Sequence, residues 1–353
     1  MSFRKTEFGK TKNGEPVSLY TFTNSSGMQM RVTDFGAILV SVIVKDRYGK
    51  ELDVVLGYDR VEDYEADELY LGYIVGRCAN RIAGAAFELN GKTYELCKND
   101  NGKNCNHSGP DYYGKRLWKV EKTEENSITF SLFSPHMDQG YPGNVTIYTT
   151  YTLTDENEIQ IEYQATPDAD TLINLTNHSY FNLNGHDAGT VLDQKVWINA
   201  DKYAEPNAEY LPTGRILETK GTAMDFSEPK ELGRDIEADC DALKCGHGYD
   251  TSYLLKGEGY RKAATLESEK SGIKMTAYTE YPGVHLYTAN FLNGETGKNG
   301  AIYPRRSAVC LELQYFPDAI HHDNFASTIC KKGETYHKKN AYRFELDVQG
   351  VKG

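Results

Sequence analysis

The chain has 353 residues, and its 51 acidic and 39 basic side chains give a formal net charge of −12. An acidic chain without a long Lys/Arg run lacks the basic surface needed to bind nucleic acid phosphates or anionic lipid, so both partner classes are excluded. Tyrosine dominates the aromatic residues, with 26 Tyr against 13 Phe and 2 Trp, and such polar-tipped rings suit half-exposed surfaces and binding clefts.

Short runs rich in β-branched and aromatic residues recur along the chain, whereas amphipathic runs of helix length are scarce. In chain order, the predicted strands are 28–33, 37–44, 128–132, 145–153, 159–164, 171–178, 191–198, 273–279, 284–290, 308–314 and 341–348. Turns that accept positive φ are predicted at the Asn-Gly pairs 13–14, 90–91, 184–185 and 293–294. This pattern indicates an all-β sandwich or barrel.

Two short helices interrupt the predicted strands. Residues 59–62 resemble a capping box, and residues 227–229 resemble an N-cap followed by a Pro-containing first turn. The sequence contains no fixed-period repeat, low-complexity tract or Pro/Ser-rich linker. We therefore predict one domain over residues 1–353.

Cysteine usage and the first residues point to a reducing compartment. The seven cysteines are an odd number without a framework of spacings, and the first ten residues lack the apolar stretch of a signal peptide. The longest apolar run, 37–44, is far shorter than the ~20 residues that cross a bilayer. We predict a cytoplasmic protein that does not span a membrane.

Motifs for nucleotides and metals are missing. The sequence has no GxxxxGK[ST], no GxGxxG opening a helix and no HExxH. Cys240, Cys245 and His247 lack a fourth metal ligand at a sensible spacing. On an extended chain the adjacent side chains of His321 and His322 would point to opposite sides, so we do not expect them to chelate one ion. We predict neither a metal nor a cofactor.

Two polar residues in apolar strands are the candidates for chemistry. In the segment 308–314, alternation places Glu312 on the face opposite Leu311 and Leu313. A buried carboxylate there would be costly without partners, so Glu312 is either solvated or faces a cleft. If the strand 171–178 continues to Tyr180, His178 and Tyr180 share one polar face. At neutral pH a Glu and a His form a ready base and a partly protonated acid.

These segments belong to a longer series of motifs, which lie in order along nearly the whole chain. The motifs are FGA at 35–37, VVLGYD at 54–59, GRCANRI at 76–82, NHSGP at 106–110, KRLW at 115–118, GYPGN at 140–144, NLTNHSYFNLNG at 174–185, GYD at 248–250, PGVHLYTANFL at 282–292 and CLELQYFPDA at 310–319. In this series the chain resembles the aldose 1-epimerase, or galactose mutarotase, family.

The resemblance implies a large antiparallel β-sandwich with a few short helices. It also implies an isomerase that interconverts the α and β anomers of free aldohexoses such as glucose and galactose. The ring opens, the aldehyde rotates about the C1–C2 bond, and the ring closes again. Two proton transfers suffice for this reaction, so the expected partner is the aldose sugar alone, bound to a monomer or homodimer.

The resemblance also implies roles for single residues. Glu312 matches the general base that takes the proton from the anomeric hydroxyl, and His178 matches the general acid that protonates the ring oxygen. The expected sugar-binding residues are Asn80, Arg81, His107, Tyr180, Asp250 and His285.

Two positions depart from the family pattern. Residue 285 is His where the family commonly has Gln, and residues 107–109 are His-Ser-Gly where His-Gly-Gly is usual. Both departures bear on sugar preference more than on the type of reaction.

Three other functions stay open at this point. A hexose-6-phosphate 1-epimerase would need a cationic phosphate anchor, for which the pair Arg305 and Arg306 is a candidate that we interpret as a solvated loop pair. A non-catalytic sugar-binding protein would need only aromatic and polar contacts. A glycosidase would need a second carboxylate, such as Asp250, at a suitable distance from Glu312.

Overall fold

A computed structural model gives the structure of the chain and describes residues 1–346. Its strands are β1 (Ser2–Lys10), β2 (Pro16–Thr23), β3 (Gln29–Thr33), β4 (Leu39–Lys45), β5 (Glu51–Asp53), β6 (Ile74–Val75), β7 (Arg81–Ile82), β8 (Ala86–Leu89), β9 (Lys92–Glu95), β10 (Cys105–Asn106), β11 (Lys119–Thr123), β12 (Ser127–Ser134), β13 (Val145–Leu153), β14 (Glu158–Pro167), β15 (Thr171–Leu172), β16 (Thr176–Asn177), β17 (Lys195–Ile198), β18 (Ala200–Pro206), β19 (Pro212–Glu218), β20 (Lys230–Glu231), β21 (Asp250–Leu255), β22 (Arg261–Glu267), β23 (Ile273–Thr279), β24 (Gly283–Tyr287), β25 (Glu295–Thr296), β26 (Ile302–Tyr303), β27 (Cys310–Gln314), β28 (Ile329–Cys330) and β29 (Tyr336–Leu346).

Three large antiparallel sheets form the architecture. A nine-stranded sheet has the order β11-β12-β13-β14-β29-β23-β22-β17-β20. Two five-stranded sheets have the orders β1-β2-β3-β4-β5 and β19-β18-β21-β24-β27. The remaining strands form two-stranded ribbons in the connections.

The core lies between the nine-stranded sheet and the two five-stranded sheets. The Tyr20 ring on β2 packs edge-on against Phe130 on β12, with 5.9 Å between the ring centroids. On the other side of the core, the Tyr342 hydroxyl on β29 donates a hydrogen bond of 2.9 Å to the Leu311 carbonyl on β27. The sheets are therefore packed face to face, which confirms the predicted antiparallel β-sandwich.

Most predicted strands form, some with the predicted bounds. β13 and β23 match 145–153 and 273–279, because their alternating apolar side chains face the core. The predicted strand 171–178 is instead two short pieces, β15 and β16. The last strand ends at Leu346 in the described part of the chain, and residues 347–348 of its predicted range lie outside that part.

The helices are short: α1 (Val61–Ala66), α2 (Leu232–Asp235) and α3 (Asp241–Gly246). The capping box at 59–62 was wrong in detail, because Arg60 is the N-cap and makes no side-chain cap bond. The Asp59 carboxylate instead accepts a hydrogen bond from the Asn299 backbone. The helix predicted at 227–229 was also wrong, because that segment leads into β20 before α2 begins.

None of the helices in residues 1–346 has the length and apolar character that a membrane crossing requires.

The five-stranded sheet that contains β21, β24 and β27 positions the candidate site. Leu311 and Leu313 on β27 face the sandwich core, as does Leu286 on β24. Alternation along the strands then turns Glu312 and His285 to the opposite face. One face of this sheet therefore belongs to the core and the other to a cavity.

Candidate active site

A cavity of about 250 Å³ opens on that second face. It is lined by Glu68, Leu69, Tyr70, Asn80, Arg81, Asn106, His107, His178, Tyr180, Asp250, His285, Tyr287, Phe291 and Glu312. The structure thus brings all eight candidate residues from the sequence into the lining of one cavity. These residues are far apart in the sequence, and the folding of the sheets brings them together.

Glu312 lies at the centre of β27. Its cross-strand neighbour on β24 is His285, and its side chain is 2% exposed. Oε1 lies 3.5 Å from Nε2 of His178. Oε2 is buried and has no hydrogen-bond partner within residues 1–346. Burial of a carboxylate oxygen without a hydrogen-bond donor is costly.

His178 follows β16 and is held by the backbone of the segment beside it. Its N–H donates to the Tyr73 carbonyl at 2.9 Å, and its carbonyl accepts from the Gly72 N–H at 2.9 Å. The imidazole Nδ1 is buried without a hydrogen-bond partner in the described residues. These bonds fix the backbone that carries the imidazole, whose Nε2 lies 3.5 Å from Oε1 of Glu312.

His107 presents a defined hydrogen-bond donor. Its Nδ1 accepts a hydrogen bond of 3.1 Å from the Asn80 backbone N–H. Burial lowers the pKa of His107 well below its usual 6.5, and His178 adds to this effect. The imidazole is thus neutral with its proton on Nε2, because Nδ1 serves as an acceptor.

The segment that carries His107 is held in an uncommon backbone conformation. His107 and Ser108 have φ values of 49° and 70°, a region that glycine usually occupies. The Ser108 hydroxyl accepts a hydrogen bond of 2.8 Å from the Cys78 N–H and donates one of 3.0 Å to the Cys78 carbonyl. These two bonds explain how Ser serves where the family pattern has Gly.

A metal does not suit this cluster, although its donor atoms are close. Ligand atoms of His107, His178 and Glu312 all lie within 4.8 Å of one another. A metal-bound His normally donates its other ring N–H to an acceptor. His107 does the reverse, since its Nδ1 accepts the backbone proton of Asn80. Its Nε2 therefore carries the hydrogen that a metal would have to displace.

Asp250 and His285 form a hydrogen-bonded pair on neighbouring strands. Nε2 of His285 lies 2.7 Å from Oδ1 of Asp250, and Nδ1 lies 2.7 Å from the Ser252 hydroxyl. Burial lowers the pKa of His285, but the hydrogen bond and charge of Asp250 outweigh it and leave the pKa raised above 6.5. Both ring nitrogens of His285 are thus engaged by protein groups.

Asn80 and Arg81 lie at another side of the cavity. The Arg81 Nε donates to Oδ2 of Asp100 at 3.1 Å, and its guanidinium lies 4.7 Å from the centroid of the Tyr210 ring. Asn80 uses its Oδ1 to accept the Arg81 N–H at 2.9 Å. These contacts hold both side chains at the cavity wall.

Tyr180 contributes its ring rather than its hydroxyl. The ring is nearly parallel to the His178 imidazole, with 5.1 Å between centroids. Its hydroxyl donates to the Leu69 carbonyl at 2.6 Å.

Tyr70, Tyr287 and Phe291 also line the cavity, and sequence reasoning missed them. The Tyr70 ring lies 4.3 Å from the His107 ring, and Tyr287 contacts both His178 and Tyr180 edge-on. Phe291 is 42% exposed. The family motif at 282–292 contains Tyr287 and Phe291 but did not single them out, and Tyr70 had no signal beyond the abundance of aromatic residues.

The other sequence candidates lie away from the cavity wall. Arg306 is buried and pairs with Glu237, so the interpretation of Arg305 and Arg306 as a solvated pair was wrong for Arg306. Its guanidinium also donates to the His247 carbonyl at 3.1 Å. Neither arginine lines the cavity. Cys240, Cys245 and His247 do not form a metal-donor group in residues 1–346.

Comparison with known proteins identifies the family. The family profile described as aldose 1-epimerase matches residues 18–343. A galactose mutarotase from Bos taurus is 38% identical over 324 residues, which cover 91% of this chain and 92% of that protein. The chain belongs to the aldose 1-epimerase family. An aldose 1-epimerase from Haemophilus influenzae is 36% identical and covers 94% of this chain and 97% of its own length.

A solved structure shows the same fold in this aldose 1-epimerase family. An aldose epimerase homologue from C. elegans has a TM-score of 0.87 and 32% identity. The match covers 94% of this chain and 99% of the other. The structural similarity therefore extends over nearly the whole chain.

Proposed function

We propose that the chain interconverts the α and β anomers of a free aldose, with Glu312 as general base and His178 as general acid. The family assignment supports the reaction. The observation that supports the residue roles is that Glu312 and His178 line the same cavity, with Oε1 of Glu312 3.5 Å from Nε2 of His178. A base and an acid must act on the same sugar, so their side chains need to lie in one cavity.

The reaction follows from two proton transfers. Glu312 takes the proton of the C1 hydroxyl, the bond from C1 to the ring oxygen breaks, and His178 gives a proton to that oxygen. The open aldehyde rotates about its C1–C2 bond. Closure on the other face of C1 reverses both transfers, so acid and base regain their starting states.

The other cavity groups fit the demands of an uncharged sugar. The neutral His107 offers an Nε2–H donor to a ring or hydroxyl oxygen, and the Asp250 carboxylate offers acceptors to hydroxyls. The rings of Tyr70, Tyr180 and Tyr287 offer apolar faces to sugar C–H groups. Arg81 is the one Arg or Lys among the described residues that line the cavity, and it already pairs with Asp100. Within residues 1–346 the cavity therefore offers no unpaired cation to anchor a sugar phosphate.

Polarimetry with freshly dissolved α-galactose and α-glucose tests the proposal. The wild-type chain should speed mutarotation above the rate in buffer, and Glu312→Gln should lower kcat by about 10²–10⁴-fold, which is the usual contribution of a general base. Glu156→Gln is the matched control, because Glu156 is an exposed carboxylate. A wild-type rate equal to that of buffer, or a fully active Glu312→Gln variant, would refute the proposal.

Several properties stay predictions from the sequence. They are the single domain over residues 1–353, the cytoplasmic location and the monomeric or homodimeric state. The preference for glucose or galactose is likewise a proposal, and the polarimetric sugar panel measures it directly.

A further inference from the structure

A row of three polar residues crosses the sheet behind the cavity. Ser252 on β21 pairs in register with His285 on β24, and His285 pairs with Glu312 on β27. Asp250 lies two residues from Ser252, so it faces the same side of β21. The His285 ring therefore has Asp250 and Ser252 on one side and Glu312 on the other.

The hydrogen bonds define where the protons of His285 lie. An ionised carboxylate only accepts hydrogen bonds, so Nε2 of His285 must donate to Oδ1 of Asp250. The Ser252 hydroxyl can donate to Nδ1 of a neutral ring or accept from the N–H of a charged one. The bond to Asp250 is consequently present in both protonation states of His285.

Oδ2 of Asp250, unlike Oδ1, is not hydrogen-bonded to His285. No residue within 1–346 donates a hydrogen bond to it, and Asp250 lines the cavity. One carboxylate oxygen is thus tied to the sheet and the other remains for a ligand. Because the carboxylate is planar, fixing Oδ1 through His285 also limits the directions in which Oδ2 can point.

We propose that His285 is a positioning residue, which orients Asp250 toward the sugar through the chain Ser252–His285–Asp250 and does not itself bind the sugar. The proposal rests on the proposed function, since it assigns Asp250 to sugar hydroxyls. This role differs from the direct sugar binding that the sequence analysis expected of His285. To bind the sugar directly, a ring nitrogen of His285 would have to give up its hydrogen bond to Ser252 or Asp250. Each of those bonds is buried and 2.7 Å long.

Three substitutions at this position separate the possibilities. His285→Gln keeps an N–H donor long enough to reach Asp250, so its KM for galactose should stay within about threefold of wild type. His285→Phe and His285→Asn remove that donor or shorten its reach, and their KM should rise about tenfold or more while kcat changes less. A hydrogen bond to a charged group worth about 1.5–3 kcal/mol corresponds to this factor.

His337→Gln is the matched control, because His337 is exposed on β29. Its KM and kcat should equal those of the wild type. Rescue by Gln but not by Asn distinguishes positioning from a general loss of stability, which would affect both variants. Equal KM values for wild type and His285→Phe would overturn the proposal, and so would a rise in His285→Gln as large as in His285→Phe.

A second measurement does not depend on catalysis. Calorimetric titration with galactose should show the same order of affinities, with wild type and His285→Gln binding more tightly than His285→Phe and His285→Asn. If the four proteins bind galactose in this order of affinity but the wild type does not accelerate mutarotation, the proposed function fails and the role of His285 stands. If mutarotation is fast but all four proteins bind galactose equally, the role of His285 fails alone.

Discussion

Replacing Ser108 by Ala should destabilise the protein through a single pair of backbone groups. The hydroxyl is buried, and it both accepts from the Cys78 N–H and donates to the Cys78 carbonyl. Ala keeps the positive φ of 70° but removes both bonds. The Cys78 amide and carbonyl would then lose the hydroxyl that pairs with both of them.

The size of the effect follows from these contacts. A buried polar group without its partner costs about 1–3 kcal/mol, so losing two bonds should lower the free energy of unfolding by about 2–4 kcal/mol. Ser108→Gly loses the same bonds but relieves the left-handed backbone, whose cost for a residue with Cβ is about 1–2 kcal/mol. The expected order of stability is wild type, then Gly, then Ala.

Urea unfolding of the three proteins measures this order. The midpoint concentration should fall in the order given while the slope with denaturant stays constant. Because His107 is the preceding residue, KM for galactose should rise in Ser108→Ala as well. Equal midpoints for wild type and Ser108→Ala would contradict the role assigned to the hydrogen bonds. A higher midpoint for Ser108→Ala than for Ser108→Gly would contradict the backbone strain assigned to this residue.

Three further predictions concern the rings of Tyr180 and His107, which lie beside His178. Tyr180→Phe should lower the free energy of unfolding by about 1 kcal/mol, because the Leu69 carbonyl loses its donor, and urea midpoints report it. Tyr180→Leu should also slow mutarotation, since the ring beside His178 is gone. The lowered pKa of His107 means that the unfolded chain binds a proton below pH 6.5 while the folded chain does not. Stability of the wild type should therefore fall below pH 6.5 more steeply than that of His107→Gln, and equal slopes would contradict a neutral His107.

The sheets were predictable wherever one strand face enters the core. In β13 every second side chain is buried, with Thr149 the one non-aromatic polar residue among them, and the predicted bounds match the structure. The hairpin between β8 and β9 was predictable from Asn90 and Gly91, whose φ values of 53° and 73° suit such a pair. The prediction of one strand over 171–178 failed because periodicity does not reveal that the middle of the segment forms an isolated parallel bridge, between Asn174 and Cys78, in place of a continuous strand.

Positions in the cavity wall were predictable only where chemistry or family motifs marked them. Glu312 stood out because a carboxylate interrupts an apolar strand, and His178 because of the segment around it. Tyr70 lies outside the family motifs, and Phe291 lies within the motif at 282–292 without a chemical feature that distinguishes it. The bond between His285 and Asp250 depends on the register of β21 against β24. Strand register across distant segments follows from turns and packing, which single positions do not encode.

The buried, unpartnered atoms of Glu312 and His178 connect stability with function. Each such group lowers stability by about 1–3 kcal/mol relative to a partnered one. The cost is tolerable because the adjacent sheet face is fully packed, with Leu311 and Leu313 in the core. Because Glu312→Gln removes the buried charge and keeps the shape of the side chain, the variant should retain stability, measured by its urea midpoint, while losing mutarotase activity in the polarimeter.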